Sequence, residues 1–315
     1  MIFIMDFRVK AFIQNSIDLI PDTLSYEVYY QFQRKFAGLR KINPSSRINA
    51  GAKIVELASQ ANFSMRGKRV LEVGSGRSPI LPMSLWLHGA SRVVSCDLNP
   101  YFKEDIWIDS FQWLKSNKEL VLESCKGIDQ GRLNKFLGDE TLCEKGKILS
   151  GLHRIGIDYL APADARILPF DDDYFDAHVS YTVLEHIPRD VLRDIFIEAK
   201  RIVRPAGVIL HNIDYTDHFS HSDKRISAIN FLKFNERDYA RLAGNKFMYM
   251  NRLRDDDFRA LWHELSLVTC VVEKSFSEEI LSLLRSRAKP ILDDYFSRKS
   301  DEDLATIESW YGFVL

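Results

Sequence analysis

The sequence predicts an α/β protein built on an open, doubly wound sheet. Three observations carry this reading: strand-like runs alternate with helical stretches across residues 68–213, the first run ends in a glycine turn, and the second ends in a carboxylate.

Composition narrows the class first. The 315 residues are 46% hydrophobic and 28% charged, which is ordinary for a folded chain and excludes wholly disordered, collagen-like and coiled-coil proteins. Lys and Arg number 43 against 44 Asp and Glu, so no global charge recruits nucleic acid or an anionic membrane. The start, MIFIMDFRVK, is too short an apolar run for a signal peptide, and no later stretch reaches the roughly 18 apolar residues of a membrane span. The expected compartment is the cytoplasm. Cys96, Cys125, Cys143 and Cys270 are widely spaced and support neither a zinc site nor a disulfide framework.

Residues 1–66 read as a helical amino-terminal lid or cap, with apolar residues at helical spacing in SYEVYYQFQRKF and RINAGAKIVELASQ. Between them Pro44 stops one helix, and Ser45 or Ser46 is expected to cap the next. Residues 1–70 hold eleven Lys and Arg against five Asp and Glu, which suits a solvated helical face or an anion-binding lid carrying Arg40 and Arg47. The remaining 67–315 form the second expected unit.

That unit opens on RVLEV, a short apolar run with two valines, as a strand covered on both faces should be. The turn GSGRSP, a short helix and RVVSCD complete a βαβ unit. FKEDIWIDSFQWLKS is helical, whereas the polar tract over 126–147 offers no strand. IDYL is a strand expected to end before Asp164, FDAHVSYTVLEHI is another that runs into a loop, and a helix covers 189–203. Pro205 and Gly207 then turn the chain into the strand VILHNI. An aromatic excursion spans about 214–262. Strand LSLVTCVV, a helical insertion over about 276–306 stopped near Pro290, and strand SWYGFVL complete the chain.

The chemistry sits at strand ends. Gly74 and Gly76 let backbone N–H groups approach a ligand with no Cβ in the way, but G-x-G alone is shared by several enzyme classes. Pro79 stands where a dinucleotide fingerprint requires its third glycine, which disfavours a pyrophosphate. Glu72, inside the strand, needs hydrogen bonds from the loop or a ligand ammonium. Asp97 lies 23 positions after Gly74, where a carboxylate accepts ribose hydroxyls. Asp164 suits an adenine amino group, with Leu98 and Ala165 flanking the ring.

Taken together, VLEVGSGRSP, VVSCDLNP, ADARILPFDDDYFDAHVSYTVLEHI and AKRIVRPAGVIL resemble the class I S-adenosylmethionine-dependent methyltransferases over about residues 68–213. The resemblance implies a Rossmann-like sheet of about seven strands. It implies S-adenosyl-L-methionine as donor and S-adenosyl-L-homocysteine as product, with Glu72, Gly74, Ser75 and Gly76 at the amino-acid part. Asp97 and Leu98 then serve the ribose and adenine, Asp164 and Ala165 the adenine, and the loop after Ser180 faces the transferred methyl. Family members usually carry glycine where Ser78 stands, a departure that is tolerable if Ser78 caps the helix opened by Pro79. INPSSRI, DYTDHFSHSDKRISAINFLKF and YMNRLRDDDF are similar to a bacterial branch associated with surface-polysaccharide and natural-product gene clusters.

Methyl transfer to a hydroxyl needs an aligned acceptor and a base. His186, His218 and His221 are the candidates for the base, with Asp214 or Asp217 to orient one of them. No metal is expected, a set of Asp214, His218 and His221 being a minor possibility on composition. Asp214, Tyr215, Asn251, Arg252, Arg254 and Arg47 are expected to contact the acceptor. Arg252 and Arg254 form either a clamp for phosphate or carboxylate or an ion-pair network with Asp255, Asp256 and Asp257. The expected activity is O-methylation of a sugar, sugar phosphate or related small molecule. One alternative is a nucleic-acid or protein methyltransferase, against which stand the neutral charge and SYTV in place of N-P-P-[YF]. The other is a non-catalytic module with the same fold. Oligomeric state is not readable from the sequence.

Overall fold

The computed structural model describes residues 5–315, apart from the Thr23 side chain. The first four residues of the expected helical segment lie outside the described residues. Three helices open the chain: α1 (Phe7–Asp18), α2 (Asp22–Phe36) and α3 (Ser45–Gln60). Helix α1 is capped by Asp6, whose carboxylate accepts the Arg8 N–H at 2.9 Å. At α3 the side chain that accepts a backbone N–H is Asn43, at 3.0 Å from the Ser45 nitrogen. Neither Ser45 nor Ser46 is the cap, because the helix already includes both.

The sheet has seven strands: β1 (Arg69–Val73), β2 (Arg92–Cys96), β3 (Ile157–Leu160), β4 (Phe175–Tyr181), β5 (Val203–Asp214), β6 (Thr269–Phe276) and β7 (Thr306–Val314). Their order is β3-β2-β1-β4-β5-β7-β6, parallel up to β5, with β7 inserted antiparallel between β5 and β6. Strand order reverses between β1 and β4, and a crevice opens beyond the carboxyl ends of these two strands, where ligands of such sheets sit.

Helix α4 (Ile80–Leu87) connects β1 to β2 and is buried along its whole length, as its sequence ILPMSLWL requires. It packs on α3 at Gly51, where a Cβ would strike the Ser84 side chain. Pro79 precedes it without any side-chain cap, and the buried Ser78 hydroxyl has no partner, so the expected Ser78 cap does not form. Between β2 and β3 run α5 (Glu104–Ser116), α6 (Lys118–Ser124), α7 (Gln130–Leu137) and α8 (Ile148–Ile155). Leu133, Phe136 and Leu142 from this polar tract are buried beside Trp86 and Trp107.

Helix α9 (Arg189–Ile202) leads straight into β5, and Pro205–Gly207 form an irregularity within that strand rather than a turn before it. The excursion after β5 holds α10 (Glu236–Ala243) and α11 (Asp255–Glu264). It is a packed layer. Phe219, Phe231, Leu232 and Tyr239 join Phe7 and Ala11 of α1 in one apolar cluster, and the Phe7 N–H donates to buried Asp223 at 3.0 Å. After β6 come α12 (Glu278–Arg285), α13 (Asp294–Ser297) and α14 (Asp301–Ala305), whose Ile280, Leu284, Phe296 and Leu304 complete the same cluster. Helix α12 ends at Arg285, ahead of the expected stop near Pro290. No helix among the described residues is long and apolar enough to cross a membrane.

Candidate functional site

A cavity of about 580 Å³ lies beyond the ends of β1, β2 and β4, a size ordinary for a small-molecule site. Its floor is the turn after β1. Gly74 (φ +89°) and Gly76 (φ +62°) both adopt the left-handed conformation, and a Cβ on Gly74 would collide with the methyl groups of Val183. Gly76 instead faces the Arg47 guanidinium, 3.5 Å from where a Cβ would stand. The turn is thus open to a ligand at Gly76 and closed at Gly74.

Asp97 follows β2 and is buried. One carboxylate oxygen accepts the Gly76 N–H at 2.8 Å and the other accepts the Asn99 N–H at 3.0 Å. Burial raises its pKa above the usual carboxylate value, partly opposed by these two N–H groups and by Arg47. Leu98, Ala163, Asp164, Ala165 and Arg166 line the next side of the cavity. Asp164 is in the loop four residues past β3, not at the strand end, and its carboxylate pairs with Arg166 at 2.6 Å. Thr182, Val183, His186 and Ile187 from the loop after β4 form the opposite wall. Thr182 holds a positive φ of 51°, the sort of strained backbone that gathers at functional sites.

The structure brings Gly74, Gly76, Asp97, Leu98, Asp164, Ala165, Arg47 and His186 together around this cavity. Other expected site residues lie elsewhere. Glu72 is buried beneath the turn, where it accepts from the Ser95 hydroxyl, which in turn pairs with the Ser75 hydroxyl. Burial pushes Glu72 up to about 7. It shapes the turn from below and is not in the cavity wall. Ser180 is two residues from His178 on β4, hence on the same face, and bonds His211 at 2.6 Å inside the sheet's packing.

The basic cluster Asn251–Arg254 is internal. Arg254 is fully buried and donates to the carbonyls of Tyr215 (2.6 Å), Leu304 (2.9 Å) and Thr306 (2.6 Å). Arg252 is buried against the ring of Tyr239 and donates to the Phe231 and Phe234 carbonyls, with Glu236 as its ion-pair partner. Neither is a clamp for an acceptor, and neither pairs with Asp255–Asp257. Tyr215 is buried with its hydroxyl on Ser309 at 2.8 Å. Asn251 ties the LEHI turn: its amide donates to the carbonyls of Leu184 and Ile187, each at 2.8 Å.

The three candidate histidines do converge. His186 and His218 stand 4.9 Å apart between ring centres, as do His218 and His221. The His186 Nδ1 bonds the Tyr249 carbonyl at 2.8 Å, so this nitrogen carries the proton. Burial, then the neighbouring His218, push His186 down to about 4, which keeps it neutral at pH 7. Asp214 lies 3.3 Å from His218 Nε2 but is not aligned with it for a hydrogen bond. Asp217 orients no histidine; it is buried and accepts the Phe219 N–H at 2.8 Å.

Beside the first cavity is a second, of about 640 Å³, between the glycine turn and the amino-terminal helices. The two share Arg47, Gly76, Tyr101, Lys246 and Phe247 in their walls. Arg47, Arg77 and Lys41 face the second cavity and form no ion pair among the described residues, whereas Arg40 does not line it. Burial lowers the Arg77 pKa. Sequence reasoning missed Arg77, Tyr26, Tyr101, Lys246 and Phe247. Only Arg77 had a signal, being adjacent to the glycine turn.

Strand order and the crevice at its switch point define an α/β fold, that of the class I S-adenosylmethionine-dependent methyltransferases. Residues 143–211, less than a quarter of the chain, match the family described as "Methyltransferase domain"; the glycine turn lies outside the match. No curated protein matches the sequence. Among solved structures the chain is similar to an S-adenosylmethionine-dependent methyltransferase from Mesorhizobium loti, with 13% identity over 85% of this chain and 100% of that one and a TM-score of 0.44. It is also similar to geranyl diphosphate C-methyltransferase from Streptomyces coelicolor, with 11% identity over 84% and 77% of the two chains and a TM-score of 0.45. At these identities the neighbours say nothing of the acceptor.

Proposed function

We propose that this protein transfers the methyl group of S-adenosylmethionine to a hydroxyl of a small anionic metabolite such as a sugar phosphate or acidic sugar. One observation carries the reading: a cleft with an oriented ribose-type carboxylate at Asp97 opens through Arg47 into a chamber where Arg47, Arg77 and Lys41 form no ion pair among the described residues.

The first cavity fits the donor on features of its own. The Asp97 oxygens keep lone pairs for two ribose hydroxyls, Leu98 and Ala165 flank a planar ring, and Gly76 leaves room that a Cβ would fill beside the Arg47 guanidinium. When bound, the donor supplies a methyl group already activated by a positive sulfur. The chain's own work is then to align the acceptor oxygen and receive its proton. Arg47, Arg77 and Lys41 would hold the acceptor's phosphate or carboxylate, and Tyr26 and Tyr29 offer faces to a ring. The imidazoles of His186, His218 and His221 lie beside the wall that the methyl would face and supply the group that accepts the proton. The cavity sizes favour a metabolite over a polymer.

Transfer of labelled methyl from S-adenosylmethionine onto paired phosphorylated and unphosphorylated sugars tests this. The reading expects product only with the anionic member of a pair; equal transfer to both removes the anionic acceptor, and product labelled at carbon or nitrogen removes the hydroxyl.

A further inference from the structure

We propose that Glu185, His186, Asp214 and His218 form a binding site for one divalent transition-metal ion, with His221 at its edge. Ligand atoms of Glu185, His186 and His218 all lie within 4.8 Å of one another, and so do those of Asp214, His218 and His221. His218 belongs to both sets. Ions of this class bind N and O ligands at about 2.0–2.2 Å, and His218, common to both sets, brings the Asp214 carboxylate next to the Glu185–His186 pair.

A second observation is independent of that spacing. Glu185 is 2% exposed, and neither of its carboxylate oxygens has a hydrogen-bond partner. The His218 Nε2 also makes no aligned hydrogen bond, its neighbouring carboxylate being Asp214 at 3.3 Å. Buried polar groups are almost always satisfied, and an unpartnered carboxylate within reach of two imidazoles calls for an ion.

The scaffold around the cluster is fixed. Glu185 and His186 lie in the single turn that follows β4, and Asp214 ends the neighbouring β5, so adjacent strand ends present the groups. Asn251 pins the turn through Leu184 and Ile187, and its backbone N–H donates to the Glu185 carbonyl at 2.8 Å. Donation from His186 Nδ1 to the Tyr249 carbonyl leaves Nε2 as the ring's lone pair, the outer arrangement that metal-bound histidines use. Imidazoles mixed with carboxylates select zinc, cobalt, iron or manganese over calcium or magnesium. His186 also lines the donor cavity, so the ion stands where it would polarise an acceptor hydroxyl. That use rests on the proposed methyl transfer; the binding itself does not.

The test is titration of chelator-stripped full-length protein with Co²⁺, Zn²⁺ and Mg²⁺, read by calorimetry and by the visible absorption of bound Co²⁺. One Co²⁺ per chain is expected, bound far more tightly than Mg²⁺. Glu185→Gln and His218→Ala should each weaken it on the order of tenfold or more, whereas His153→Ala, at an exposed histidine on α8, should not. Absence of stoichiometric Co²⁺ binding, or equal affinity in all three variants, overturns the site. Should the variants misfold, the wild-type protein decides alone: Co²⁺ should raise its Tm, and an unchanged Tm counts against the site. Parallel titration with S-adenosylhomocysteine separates the two readings. Donor binding without Co²⁺ binding removes only the metal, and Co²⁺ binding without donor binding removes only the methyl transfer.

Discussion

The Asp97 carboxylate accepts the Gly76 N–H at 2.8 Å, so the group proposed to bind ribose also holds the turn proposed to bind the amino-acid part. Loss of this carboxylate removes two ligand hydrogen bonds and a clasp within the protein. Bonds to charged groups contribute about 1.5–3 kcal/mol each. Asp97→Ala is therefore expected to weaken S-adenosylhomocysteine binding by two orders of magnitude or more in calorimetry, and Asp97→Asn by less.

Gly74 and Val183 occupy one space. A side chain at 74 meets the Val183 methyls and must also hold φ at +89°. Gly74→Ala should cost about 1–3 kcal/mol of stability in denaturant unfolding from backbone strain alone. Adding Val183→Ala should relieve the collision and restore part of the loss; no restoration would mean that the loop after β4 does not press on the turn.

Glu72 makes stability depend on pH. Its folded pKa of about 7 lies above the ordinary glutamate value of 4.5, so between these values the folded state binds more protons than the unfolded one. Stability from this group is complete below pH 4.5 and falls as pH rises to about 7, by about 3 kcal/mol in total. Glu72→Gln should match the wild type near pH 5 and unfold at a higher Tm near pH 8, measured without ligand. Identical Tm at both pH values would place Glu72 in an ordinary polar environment.

Arg254 is structural. Its guanidinium serves carbonyls at 215, 304 and 306, which knits β5, α14 and β7 to the start of α11. Arg254→Met should destabilise the chain by about 3–5 kcal/mol, as breaking a buried charged network does. Chemical unfolding measures this. Arg252→Ala should likewise lower stability and leave the acceptor KM unchanged.

These arginines show where sequence reading reaches its limit. RVLEV, the glycine turn and Asp97 were readable because each is local: a run of buried residues, two positive-φ positions, a carboxylate at a strand end. NRLR was not, because a basic cluster in sequence says nothing of whether carbonyls or solvent meet it. Ser180 failed for a related reason, since only the packed sheet shows that its hydroxyl meets His211 of β5. The second cavity needs α2 and α3 docked over the turn, so Tyr26 and Phe247 carried no signal that they would meet there. Glu185 was hidden inside a motif whose apolar neighbours drew attention away from its carboxylate.

Arg77 separates acceptor from donor. It lines the second cavity and not the first, and stands over the Tyr30 ring without an ion-pair partner among the described residues. Arg77→Ala should raise the KM for an anionic acceptor at least about tenfold, the loss of one charged hydrogen bond, with donor affinity unchanged. Equal loss in both parameters would show that the variant disturbs the glycine turn instead.

The most direct measurement is calorimetric titration of the purified chain with S-adenosylmethionine, S-adenosylhomocysteine and NAD in parallel. Binding of both adenosyl ligands at one site per chain, lost in Asp97→Ala, and no heat with NAD are the predicted results. A folded protein that binds neither adenosyl ligand, or that binds NAD as well as it binds them, would contradict the donor site and with it the proposed methyl transfer.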